Sequence, residues 1–324
     1  MTPRSILAVT DFSVHGHNAL DRAALLSAEH GAALRLAYLS YPGETPPADA
    51  ATRLSHHALQ LSQLHGINVS AVSRLFHVAD DLLPEASAVD LIVWGTALVR
   101  SPRSFLFGQP AEEMMRKARR PVLVVRRSAR NPYRRALVAV DFSAASRALV
   151  DLGLAVGKNA SLELFHAVST AFEGKLRYAE VSDRAVQAYR EHGMKHAKDQ
   201  MSRLIDSSES MPNRVQAAIA HGEPSRLTLV QQHRSASELI VVGKQPCSMI
   251  SDLMFESVAN RILRFSESDD GRTDVLVVPH GWERAPSAFA ARRLASERQS
   301  VRRVRAGSPT ALGRQGSTTR ALRA

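Results

Sequence analysis

Two aspartates stand where this chain would place chemistry. Asp11 closes the apolar run Ile6-Leu-Ala-Val-Thr10, Asp141 closes Ala136-Leu-Val-Ala-Val140, and each is followed by Phe-Ser. An acidic group at the carboxyl end of a buried strand lies where open parallel sheets hold ligands. The same residue also serves to cap or turn the helix that follows, and both roles stay open at this point. Cys247, the only cysteine, is three residues from Lys244. A lysine so close lowers a thiol's pKa and suits a redox sensor, while a small residue filling a loop position is the plainer reading. His166, His192 and His196 show no partner pattern for a metal, although the last two are four apart. No catalytic residue and no metal ligand are assigned.

These residues need elements to hold them. Short apolar, partly β-branched runs bounded by polar residues read as buried strands. The chain repeats them: Leu91–Gly95 matches Leu239–Gly243, and Pro121–Val125 matches Asp274–Val278, in the same order as the two Asp-Phe-Ser runs. That is an internal duplication. In the first copy, strands are expected at Ser5–Thr10, Leu34–Leu39, Val69–Phe76, Leu91–Trp94 and Val122–Val125. Helices are expected over Val14–His30, Ala50–His65, Asp80–Ala88 and Ala111–Ala118, with Ser13 and Asp49 as N-caps and Gly31 and Gly66 as stops. The second copy repeats the order, with a longer charged helix from about Lys175 to Ile205. Alternating strands and helices predict an α/β fold: two tandem open parallel sheets with helices on both faces. The strands ending at Asp11 and Asp141 should be central in two separate sheets. The domains are then 1–128 and 134–280, joined by a polar linker and followed by a basic tail, 281–324, expected to be disordered and dispensable for folding.

Composition limits what the chain does. A length of 324 residues suits two domains, and 44% hydrophobic with 23% charged content is globular. No apolar run approaches the ~18 residues of a membrane span, and the amino terminus has no signal-peptide pattern. With one cysteine and no such segments, a cytoplasmic location is expected. The net charge of +11 is uneven: residues 281–324 hold ten arginines and two glutamates, +8, leaving +3 for the rest. The basicity therefore belongs to the tail, whose contact with nucleic acid or anionic surfaces would be weak and salt-sensitive.

Each half resembles a universal stress protein domain over nearly its full length. The carrying motifs are Ala-Val-Thr-Asp-Phe-Ser and Ala-Val-Asp-Phe-Ser, Asp90-Leu-Ile-Val-Trp-Gly95 and Glu238-Leu-Ile-Val-Val-Gly243, Pro121-Val-Leu-Val-Val125 and Val275-Leu-Val-Val-Pro279, and the turn His221-Gly-Glu-Pro224. The resemblance implies five-stranded parallel sheets ordered 3-2-1-4-5. It also implies domains that pair, within one chain or as a homodimer, and a stress-response role. Many members bind ATP through a loop after strand four: glycine, two residues, glycine, nine residues, glycine, then serine or threonine. Such glycines let the backbone approach phosphates at a helix amino terminus. Here the four positions read Gly95, Leu98, Gly108, Gln109 in the first half and Gly243, Pro246, Glu256, Ser257 in the second.

The resemblance thus implies a first ATP pocket of Asp11, Gly95, Arg100, Arg103, Gly108 and Gln109, the arginines supplying positive charge. A weaker second pocket would use Asp141, Gly243 and Ser257, because Pro246 removes a donor and Glu256 adds a negative charge. His15-Gly16-His17 is similar to the His-x-Gly-His corner of adenylate-transferring enzymes but lacks its first histidine, so no catalysis is assigned to it. The expected function is a non-catalytic stress-response binding module that acts through protein contacts, with nucleotide binding weakened or lost. The alternative is an ATP-binding sensor using the first pocket.

Overall fold

The computed structural model describes residues 2–40, 44–95, 110–170, 173, 179, 182–207, 215–244, 258–265 and 273–282. In the first half the strands are β1 (Ser5–Thr10), β2 (Ala33–Tyr38), β3 (Val69–Ala71), β4 (Leu91–Trp94) and β5 (Val122–Val124). The helices are α1 (Val14–His30), α2 (Ala50–His65), α3 (Leu83–Ser87, preceded by a single 3₁₀ turn) and α4 (Pro110–Ala118). In the second half the strands are β6 (Arg135–Ala139), β7 (Ser161–Val168), β8 (Val215–His221), β9 (Leu239–Lys244) and β10 (Asp274–Pro279). Its helices are α5 (Ser146–Val156), α6 (Asp183–Asp206), α7 (Pro224–Ser235) and α8 (Val258–Phe265).

Within each half the strands are parallel and ordered 3-2-1-4-5, as the family resemblance implies, with β1 and β6 central. The sheets are not separate. β5 pairs antiparallel with β10, Leu123 opposite Leu276, and one ten-stranded sheet results. A fifth strand is an open edge with unpaired N–H and C=O groups, and two copies in one chain satisfy each other. The pairing of the halves is therefore within the chain.

Strand alternation divides the core into two layers. The layer of Ile6 and Ala8 also holds residues of α1, α2 and α5 and Met201 of α6, whereas the layer of Leu7 and Val9 holds residues of α3, α4 and α8. Both layers run through β5 and β10 into the other half. Helix ends follow the expected chemistry: Ser13 accepts from Gly16 N at 3.1 Å, and Gly31 and Gly66 end α1 and α2 with φ of 63°. Asp49 precedes α2 but makes no side-chain cap. β3 stops at Ala71 rather than Phe76, because only Val69–Ala71 pair with β2; Phe76 rejoins through a lone bridge to Leu39.

The halves are also joined by a buried ionic knot. Asp274, at the start of β10, is fully buried and accepts from Tyr133 Oη at 2.6 Å, Arg126 N at 2.8 Å and Arg127 N at 3.1 Å. Arg22 of α1 reaches it from the first half, Nε to Oδ2 at 3.5 Å, lies over the Tyr133 ring and donates to Asn131 O at 2.9 Å. Burial pushes the Asp274 carboxyl up, against the pull of Arg22 and these donors, and pushes the Tyr133 phenol well up.

The body ends later than the sequence suggests. Trp282 is 5% exposed and belongs to the core that contains Leu276 and Val278. A cut at Gly281 removes a packed indole, so the expectation that everything from 281 is dispensable does not hold for Trp282.

Candidate functional site

Both Asp-Phe-Ser segments form the same turn. Asp11 Oδ1 accepts from Ser13 N at 2.9 Å, and Asp141 Oδ1 accepts from Ser143 N at 3.0 Å. The intervening phenylalanines take positive φ, 62° at Phe12 and 58° at Phe142. A bulky side chain in the left-handed region costs about 1–2 kcal/mol. Ring packing offsets it: Phe12 stacks on Tyr38 at 4.8 Å and Phe142 on His166 at 4.3 Å, Tyr38 and His166 being matching positions beside the first strand of each half. His166 Nδ1 also lies 2.7 Å from Val140 O, which accounts for its place in the turn without a metal. Among the described residues no cluster suits a metal ion, and His192 and His196 are exposed on α6.

Around Asp11 the first half is crowded. A Cβ on Gly16 would lie 2.7 Å from Asp11 Oδ1, and one on Gly95 would lie 2.4 Å from His15 O and 2.2 Å from Ala19 Cβ. Asp11 and Gly95 therefore flank the start of α1, and Gly95 is required by helix–strand packing whatever binds nearby. Arg53 of α2 sits over the Phe12 ring at 4.4 Å, and His17 meets His57 edge-on at 5.1 Å. Burial, with the charges of His17 and Arg53, pushes the His57 imidazole down. Arg100, Arg103, Gly108 and Gln109 lie outside the described residues.

The second half holds a cavity of about 320 Å³ at the carboxyl ends of β6, β9 and β10. Asp141, Gly243, Lys244, His280 and Trp282 line it. Asp141 Oδ1 takes a second hydrogen bond, from Ser146 Oγ at 3.0 Å. Burial pushes the Asp141 carboxyl up, but the bonds from Ser143 and Ser146 and the charge of His280 outweigh this and hold it below its ordinary value. Lys244 Nζ donates to Asn260 Oδ1 at 2.9 Å. Trp282 Nε1 is buried and has no acceptor among the described residues. Ser257, Pro246, Glu256 and Cys247 lie outside the described residues. His280 and Trp282 escaped the sequence reading because they follow the last strand, where no repeat or periodicity marks them. The motif His221-Gly-Glu-Pro224 opens α7 as expected, Glu223 accepting from Arg226 N at 2.7 Å.

With strand order, the paired turns and the carboxyl-edge cavity in view, comparison with known proteins is direct. The Universal stress protein family model matches residues 3–126 and again 132–279. The chain belongs to the universal stress protein family. Among solved structures, a universal stress protein from Archaeoglobus fulgidus DSM 4304 superposes with a TM-score of 0.62 at 15% identity, covering 85% of this chain and 96% of that one. A functionally unknown protein from Pseudomonas aeruginosa PAO1 gives 0.57 at 20% identity, covering 91% and 98%. At such identities the likeness concerns the fold. No curated protein matches the chain. Membership makes this universal stress protein a stress-response type protein with tandem domains, and among the described residues no helix is long and apolar enough to cross a membrane.

Proposed function

We propose that this universal stress protein is a non-catalytic, cytoplasmic regulatory module that binds a small ligand and acts through protein contacts, with nucleotide binding weak. The observation that carries the reading is the cavity that Asp141, His280 and Trp282 line, together with Trp282 Nε1, a buried donor with no acceptor among the described residues. Buried donors in native proteins are paired, so a ligand acceptor group completes this one. The cavity volume, about 320 Å³, is at the low end of small-molecule sites, roughly 300–1,000 Å³. Asp141 spends one oxygen on the turn, which favours positioning over proton transfer. Pro246 and Glu256 in the following loop disfavour a triphosphate there.

The second reading is an ATP sensor using the first half, with Asp11, Gly95, Arg100, Arg103, Gly108 and Gln109. It is favoured by the ring and guanidinium cluster of Phe12, Tyr38 and Arg53 beside Asp11. Calorimetric titration of the full chain with ATP separates the two. No binding, or binding that Asp11→Ala leaves unchanged, supports the first reading. Binding abolished by Asp11→Ala and untouched by Asp141→Ala establishes the second.

A further inference from the structure

A second concave surface lies away from both aspartates. A cleft of about 810 Å³ opens where the linker meets the amino ends of β6 and β9, and neither Asp11 nor Asp141 lines it. Six arginines do: Arg22, Arg126, Arg127, Arg130, Arg134 and Arg135. Among the described residues the one acid in the lining is Glu238. Both of its oxygens are engaged, Oε1 by Arg127 Nη1 at 3.1 Å and Oε2 by the backbone N–H of Arg134 at 2.7 Å. Arg22 is buried against Asp274 behind the cleft. Arg130, Arg134 and Arg135 are exposed, and their guanidiniums make no ion pair among the described residues. Collecting like charges around one concavity costs energy that an anion repays. Arg127 is paired with Glu238, and Arg126 Nη2 donates to Leu263 O at 2.6 Å, so the free charge of the cleft is that of Arg130, Arg134 and Arg135. The carboxyl-terminal turn of α7 adds Gln232 and His233, and its partial negative charge is small beside three exposed guanidiniums.

The geometry points to a second binding site, in this linker cleft, for a small anion carrying several phosphoryl groups in a chain. Arginine forks match phosphate oxygens two at a time, and several forks within one cleft suit linked phosphates better than a single one. Among the described residues no phenylalanine, tyrosine or tryptophan lines the cleft. A nucleobase therefore finds no stacking platform, and a single-stranded nucleic acid lacks the aromatic shelves that hold its bases. The ligand is read through its phosphates, so a nucleoside triphosphate and a bare triphosphate are equivalent here. The site draws on α1 of one half and β6 and β9 of the other, and occupancy tightens the junction between them.

The test is calorimetric titration of the full chain with sodium tripolyphosphate, at low and high salt, with ATP and inorganic phosphate as comparison arms. The expected result is comparable affinity for tripolyphosphate and ATP's phosphate chain, far weaker binding of inorganic phosphate, and steep loss with salt. The variant Arg130→Ala/Arg134→Ala lowers tripolyphosphate affinity at least about tenfold, since each fork makes charge-assisted bonds. Both side chains are exposed, so its unliganded melting temperature stays at the parent value; if it does not, Arg135→Ala alone replaces it. Asp141→Ala leaves tripolyphosphate binding unchanged, which keeps this site distinct from the proposed second-half pocket. Undiminished binding in the arginine variants places the anion elsewhere, the basic tail included, and overturns the proposal. So does absence of binding at low salt, or loss of binding in Asp141→Ala.

Discussion

At the scale of single residues, the two aspartates work first as turn-formers, and the second half makes this measurable. The Asp141 carboxyl is held below its ordinary value of 3.8 by bonds that exist only in the fold. A carboxyl depressed on folding stabilises above its unfolded pKa, and that contribution fades as pH falls through the folded value. Ser146→Ala removes one donor and should move the Asp141 pKa up, read by carbon-detected NMR titration of the carboxyl. Asp141→Asn should flatten the acid limb of a stability–pH curve; an unchanged limb would show that other carboxyls govern it. The glycines give a second residue-scale prediction. Gly95→Ala drives a methyl into the backbone of α1 and should cost about 1–3 kcal/mol in urea unfolding. Gly243→Ala meets the side chain of His280 at 3.0 Å, which can turn aside, and should cost clearly less. Ser13 as a cap and Gly31 as a stop were legible because their chemistry is local. Phe12 in the left-handed region was not, since side chains from other elements, Tyr38 and Arg53, hold its ring there.

At the scale of elements, burial patterns set which parts open first. α1 buries eight of its seventeen residues, whereas α6 buries Val186, Ala197 and Met201 out of twenty-four. Local opening free energy follows buried contacts. Amide hydrogen exchange should therefore be slowest in β1, β4, β9 and β10, and fast along α6 despite its length. Protection in α6 equal to that of β1 would contradict this ranking. The same contrast explains what the sequence conveyed. β1 and β4 are buried at every position and read as uninterrupted apolar runs. β3 lies at one margin of the sheet and α6 packs at the other, against β7 and β8; half-exposed residues there give mixed patterns, and the extent of β3 was overestimated accordingly.

At the scale of the molecule, duplication was visible in the repeats and strand order came with the family resemblance, but the union of the halves was not legible. The repeat aligns Asp274 with Pro121. Nothing in a sequence says that an acid opening one strand meets an arginine of the other half, buried on α1, until β5 and β10 pair and bring them together. With a shared sheet and two continuous core layers, the described body should unfold in one calorimetric transition rather than two. Isolated halves are poor surrogates for it, since each exposes β5 or β10 and strands its part of the knot. Asp274→Ala leaves Tyr133 Oη, two backbone N–H groups and the Arg22 charge without their common acceptor. Removing one member of a buried pair costs about 3–5 kcal/mol. Arg22→Met should cost less, because Asp274 keeps its three hydrogen-bond donors and a methionine stem fills much of the arginine's volume. The order of the two losses, with a single transition preserved in both variants, is the decisive readout. Two resolved transitions in the parent, or a larger loss for Arg22→Met, would mean that the knot does not carry the union and that the strand pair alone does.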